Sequence, residues 1–126
     1  MTVVYISIGA AIGANLRYFV GLWAAQQFGA AFPYGTMIVN VTGSFALGLI
    51  LFLTSNRSGF DPAWHLVLAV GLCGGYTTFS TYSAEIVALL REGMIVLAGV
   101  YALVSIILGV LAMAAGAYLM QLVSGE

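Results

Sequence analysis

Charge is what this sequence has least of: three Lys or Arg and four Asp or Glu among 126 residues, 6% in all. A chain so poor in cations has no basic patch to set against phosphates, which excludes nucleic-acid binding on electrostatic grounds. Cysteine is almost as scarce. Cys73 stands alone, so no disulfide forms within the chain, and with His65 the only histidine there is no Cys/His set for zinc. Neither a His-centred nor a paired-carboxylate arrangement falls inside the apolar segments, which leaves no candidate enzyme site. No basic residue precedes the first apolar run, and that run is long enough to span a bilayer, so it reads as a retained helix and not as a cleaved signal.

What fills the chain instead is hydrocarbon: 63% of residues are hydrophobic and mean hydropathy is +1.11, the signature of an integral membrane protein. A span needs about 20 mostly apolar residues. The sequence supplies such segments at about 2–25, 35–54, 63–88 and 94–122, with little left over. The expected fold class is therefore an all-α membrane protein, a single domain of four transmembrane helices. Four short helices hardly enclose a polar path and also shield it from lipid, so the working unit is expected to be an oligomer.

Polar residues inside these spans are few, and each has a functional and a structural reading. In the first span Gly9, Ala10, Gly13 and Ala14 form a small-xxx-small pattern for close helix packing. Arg17 follows on the same face. A mid-span arginine costs ~2.5–3.5 kcal/mol on insertion scales, so it should face protein or water, and an anchor on backbone carbonyls is its favoured role. Pro33 stops any continued helix. In the second span Thr36, Asn40 and either Gly43 or Ser44 share a face; the Asn40 amide offers two N–H donors without net charge, for an anion or for another helix. The connector from Ser55 to Pro62 holds Arg57, Gly59 and Asp61, and His65 reads as an interfacial side chain.

The third span holds the densest polar stretch, GLCGGYTTFSTYSAE, from Gly71 to Glu85. Six of the seven side chains from Thr77 to Ser83 carry a hydroxyl, Ser80 and Thr81 among them, and Phe79 alone does not. The pair Gly74 and Gly75 is expected to break the helix there. Unsatisfied backbone groups are expensive in hydrocarbon, so such a break survives only where protein buries it or water reaches it. The half ending near Cys73 and Gly74 would offer carbonyls to a cation and the half starting near Thr77 or Thr78 would offer N–H groups to an anion. The alternative is that the glycines only pack and the hydroxyls bond one turn back. Phe79 and Tyr82 share one helical face, and a ring edge is positive enough to meet an anion. Glu85 is placed to accept from Ser or Thr, or to pair with an arginine. Arg91, Glu92 and Gly93 make a turn, and in the fourth span Tyr101, Ser105 and Gly109 form a thin polar stripe. Arg57 and Arg91 lie in loops on opposite sides, so no positive-inside bias fixes the orientation.

Taken together, GAAIGANLRY (Gly9 to Tyr18), GTMIVNVTGSFALG (Gly35 to Gly48) and GLCGGYTTFSTYSAE resemble the Fluc (CrcB) family of bacterial fluoride channels, in all four spans and in order. The resemblance implies a dual-topology antiparallel homodimer in the bacterial inner membrane, with two passive fluoride pores and a structural sodium ion at its centre. It implies that main-chain carbonyls of Gly74 and Thr77 hold the sodium. It also implies that Phe79, Tyr82 and Asn40 line the pore, with Thr36, Tyr101, Ser105, Glu85 and the hydroxyls of Ser80 and Thr81 along the pathway, and with Arg17 and Gly75 structural. Tyr82 departs from the family's usual phenylalanine, so its hydroxyl is expected to meet the ion or a neighbour. A small multidrug exporter would need an acidic residue in the first span, which has Arg17 instead. A structural membrane subunit would leave the hydroxyl run without a purpose.

Overall fold

The computed structural model describes residues 1–56 and 60–125. Arg57 and Gly59, and with Arg57 half of the orientation argument, lie outside the described residues. Within them every regular element is helical and there is no strand. Helix α1, Thr2–Phe28, ends at Gly29, whose positive φ of 76° is open to glycine at little cost. Helix α2 is Tyr34–Asn56. Asp61 then caps α3, Pro62–His65, by accepting from the Ala63 N–H at 2.9 Å, with Pro62 at the first position where its missing N–H is harmless. The backbone stays helical through a π-helical stretch, Leu66–Cys73, and α4, Gly74–Tyr76. After the extended residues Thr77 and Thr78 comes α5, Phe79–Arg91, and after a turn at Gly93 (φ 78°) comes α6, Ile95–Ser124.

Three helices among the described residues are long and apolar enough to cross a membrane: Thr2–Phe28, Tyr34–Ser55 and Ile95–Ser124. The segment between the second and third of these is assembled from shorter pieces, and the interruption is not where the glycines suggested. Gly74 has ordinary right-handed helical angles (φ −63°, ψ −36°) and Gly75 lies inside α4. The extended residues are Thr77 (φ −77°, ψ 157°) and Thr78 (φ −151°, ψ 115°). Glycine costs a helix about 1 kcal/mol, and here close packing offsets that loss. A Cβ on Gly75 would fall 2.8 Å from the Ala10 carbonyl of α1, so the glycine serves contact while the helix runs on.

The same logic governs the rest of the α1 contact. A Cβ on Gly71 would lie 2.6 Å from the Ile6 carbonyl and 2.9 Å from the Gly9 Cα. Gly9 and Gly13 are both buried against this strip, as their spacing anticipates. Backbones that meet this closely gain dispersion contact that side chains would prevent, the main source of helix affinity in lipid. Helix α2 packs on α6, and α5 closes against both. Tyr82, Leu89, Ala98 and Tyr101 form the buried cluster, with Phe32, Met37 and Ile86 against it. Outside it the surface carries many apolar side chains: Val3 on α1 and Val96, Leu103 and Val110 on α6 are all exposed, as suits contact with lipid or another copy.

Candidate functional site

The site is built on the two extended residues. Thr78 N–H, which would have closed the helical bond to the Gly74 carbonyl, goes instead to Asn40 Oδ1 at 2.7 Å, and Asn40 Nδ2 donates to the Thr78 carbonyl at 3.0 Å. One amide thus satisfies both backbone groups of a residue that has left the helix, which removes most of the penalty for the interruption. Of the two uses the sequence left open for the Asn40 amide, the bond to another helix is therefore made. One N–H is spent on Thr78 and one remains.

The hydroxyl run is partly spent in the same way. Thr77 Oγ1 bonds back to the Cys73 carbonyl at 2.9 Å and Ser83 Oγ to the Phe79 carbonyl at 2.9 Å. Thr78 Oγ1 caps α5 by accepting from the Thr81 N–H at 3.2 Å, and it donates to Thr81 Oγ1 at 3.0 Å. Tyr82, nearly buried, donates its hydroxyl to the Ala102 carbonyl of α6 at 2.7 Å. The extra oxygen of this tyrosine therefore meets a neighbouring helix. Ser80 is exposed, with its Oγ 3.4 Å from Thr78 Oγ1.

Two cavities flank the Asn40–Thr78 pair. The first, of about 440 Å³, is lined by Arg17, Thr36, Thr78, Thr81 and Glu85 together with small and apolar residues of α1 and α2. Both Glu85 oxygens are occupied: Thr36 Oγ1 donates to Oε1 and Tyr101 Oη to Oε2, each at 2.7 Å, lengths typical of charge-assisted bonds. Arg17 donates to the Thr77 carbonyl through Nη1 at 3.4 Å, a long contact. Glu85 is thus held by hydroxyls and not by an arginine.

The second cavity, of about 230 Å³, carries no charge. Asn40, Ser44, Phe79, Tyr82, Ser105 and Gly109 line it, with Ile106 and Val110. Ser105 Oγ is buried without a hydrogen-bond partner, an arrangement that costs free energy unless something polar enters the space beside it. The Phe79 and Tyr82 rings lie 5.7 Å apart at 47°. Tyr82 also meets Tyr101 edge-on at 5.2 Å. Phe79 differs from its neighbours in being 78% exposed, so one wall of this cavity is open on the single chain.

Of the residues singled out in the sequence, the two cavities and the bonds between them gather Arg17, Thr36, Asn40, Thr78, Phe79, Thr81, Tyr82, Glu85, Tyr101 and Ser105. Gly74 stands apart from both cavities, exposed, with open space where a Cβ would be. The sequence left Ser44 and Gly43 as alternatives. Ser44 faces the second cavity, while Gly43 packs on Tyr76 and Thr77. His65 Nδ1 lies 3.3 Å from Thr54 Oγ1, and no group of three His, Cys, Asp or Glu side chains could hold a metal among the described residues.

Long apolar helices around small cavities that carry a few polar side chains define a multi-pass membrane protein. The family model described as CrcB-like protein, Camphor Resistance (CrcB), matches residues 4–117, and the chain belongs to that family. It is similar to proteins named fluoride-specific ion channel FluC. The one from Roseiflexus sp. (strain RS-1) is 49% identical over 117 residues, covering 93% of this chain and 94% of the relative. Those from Chloroflexus aurantiacus (strain ATCC 29366 / DSM 635 / J-10-fl), 49% identical over 111 residues and 88% of each chain, and Rhizobium meliloti (strain 1021), 42% over 119 residues, 94% of this chain and 95% of the relative, are alike along almost their whole length.

Proposed function

We propose that this chain is a fluoride-selective passive channel and not an enzyme, and that it exports fluoride across a bacterial inner membrane. The observation that carries this reading is the second cavity: a chamber without charge, lined by an asparagine, two serines and two aromatic side chains. Fluoride is small and strongly hydrated. A pore for it must replace water with hydrogen-bond donors while holding no cation that would trap the ion, since conduction needs binding that is also easily undone. Asn40 brings one remaining N–H, Ser44 and Ser105 bring hydroxyls, and Phe79 and Tyr82 bring ring edges. The charged groups stay in the first cavity.

The interruption at Thr77–Thr78 is read as the break of a membrane span, the fourth alongside the three uninterrupted helices. Exposure of Phe79, and of apolar residues around it, is the reason for reading the working unit as two copies, arranged antiparallel with one pathway on each side. Sodium is the ion the family resemblance implies between them. The Gly74 carbonyl has lost its helical donor to Asn40 on an exposed residue, and the Thr77 carbonyl keeps a second lone pair beyond its long Arg17 contact. Neutral hard oxygens of this kind fit an alkali cation. Gly74 and Thr77 of each copy would hold it, and it would supply a fixed positive field beside both pathways.

The test is efflux from liposomes loaded with fluoride or chloride, the counter-charge carried by a potassium ionophore. Fast fluoride efflux with little chloride efflux and no need for a proton gradient is expected. Absence of fluoride efflux from a well-folded preparation would overturn the proposal.

A further inference from the structure

One side chain of the second cavity, Ser44, has so far been counted only as a hydroxyl of its wall. Ser44 lies one helical turn beyond Asn40 on α2, half-buried, and lines the cavity that Asn40, Phe79 and Ser105 share. Serine and threonine within a helix commonly turn the hydroxyl back to a carbonyl three or four residues earlier. Thr42 and Ser83 do so here, to Ile38 at 2.7 Å and to Phe79 at 2.9 Å. Ser44 Oγ makes no hydrogen bond among the described residues, and across the cavity Ser105 Oγ is buried and unpartnered. Two hydroxyls without partners on opposite walls of one small chamber leave two donors for whatever enters.

The facing position on α6 supports the same view. Gly109 follows Ser105 by one turn, and a Cβ built there would lie 3.8 Å from Ser44 Oγ, at ordinary contact distance and with no other atom within 4 Å. Gly109 is therefore not glycine because backbones meet, as at Gly75. It leaves space in front of the Ser44 hydroxyl.

From this we infer that Ser44 donates a hydrogen bond to fluoride in the pathway, taking the ion together with Ser105 past the Asn40 position, and that the gap at Gly109 is the room in which the ion sits. The inference rests on the channel reading proposed above. A carbonyl or carboxylate in that gap would repel the anion, whereas a hydroxyl approached from either wall would serve it equally. The wall that carries the second hydroxyl should therefore be interchangeable.

The experiment measures fluoride efflux from liposomes for the wild-type chain, Ser44→Ala, Ser44→Thr and the double variant Ser44→Ala/Gly109→Ser. Elution profile and thermal aggregation temperature are recorded for each. Ser44→Ala is expected to slow fluoride efflux about tenfold, the effect of ~1.4 kcal/mol in the barrier, at unchanged elution and aggregation temperature. Ser44→Thr, which keeps the hydroxyl, and the double variant, which moves it to the other wall, are expected to recover most of the rate. Wild-type efflux in Ser44→Ala, or a slow double variant that is folded as well as the wild type, would overturn the assignment of Ser44 while leaving the channel intact. Lack of fluoride efflux in the wild-type chain would instead overturn the channel reading itself. If Ser44→Ala does not fold, Ser44→Gly with and without Gly109→Ser carries the same comparison, and equal rates in that pair would overturn the assignment.

Discussion

The two cavities on either side of the Asn40–Thr78 bonds are made of opposite materials. The larger holds Arg17 and Glu85, and its polar groups are already bonded to protein: Glu85 to Thr36 and Tyr101, Arg17 to the Thr77 carbonyl. The smaller holds no charge, and its hydroxyls at Ser44 and Ser105 lack partners among the described residues. Charge inside a membrane is expensive and is kept where it is paired. Unpaired neutral donors cost less and stay free for a passing ion. The difference teaches a division of labour: the charged side fixes the geometry, and the neutral side is left to bind weakly and let go.

The largest break in that division should come from the boundary itself. In Asn40→Asp one carboxylate oxygen can still accept from Thr78 N–H, but the other then faces the Thr78 carbonyl that Nδ2 now bonds. Fluoride efflux should fall to background, and the aggregation temperature should drop as well, reflecting a loss of about 1–3 kcal/mol for an unsatisfied buried group. A variant that loses efflux at unchanged stability would show that Asn40 acts on the ion and not on the backbone.

Phe79→Ile comes next. It removes a positive ring edge from the neutral cavity at a side chain that is 78% exposed on the single chain. Efflux should fall by at least about tenfold with the oligomer intact by gel filtration, and unchanged efflux would take the aromatic edge out of the pathway. On the charged side Glu85→Gln keeps an acceptor for one of its two hydroxyl donors but loses charge assistance. Efflux should slow several-fold, with a stability loss of roughly 1 kcal/mol; a larger effect than Phe79→Ile would reverse the assignment of roles. Tyr82→Phe should do least. Its hydroxyl is held by the Ala102 carbonyl, so efflux should stay near wild type while stability drops by about 1 kcal/mol. Strong loss of efflux would return that hydroxyl to the pathway.

Much of this was legible in the chain because it is local or periodic. Apolar segments mark the helices, Gly9 and Gly13 mark the face of α1 that packs closely, and i+4 spacing puts Thr36 and Asn40 on one side of α2. What escaped is non-local. The start of α5 at Thr78 was legible, since Thr78 caps it with its own side chain, but the asparagine 38 residues earlier that takes the Thr78 N–H is announced by no local propensity. The glycine pair looked like the breaker because glycine is a poor helix former, but contact with Ala10 of α1 outweighs the preference. For the same reason the double use of the Asn40 amide and the Ala102 partner of Tyr82 could not be read from spacing. Ser44 stood beside Gly43 as an equal choice until the neighbours of α2 were in place.

The most direct test of the division between a charged, fixed cavity and a neutral, conducting one is the reversal potential across a planar bilayer. Fluoride would be set at different concentrations on the two sides, chloride would balance it, and a pH difference would be imposed. A current that reverses at the fluoride equilibrium potential and ignores the chloride and proton gradients is the predicted result. A reversal that follows the proton gradient would contradict it and would make Glu85, not the neutral cavity, the centre of the mechanism.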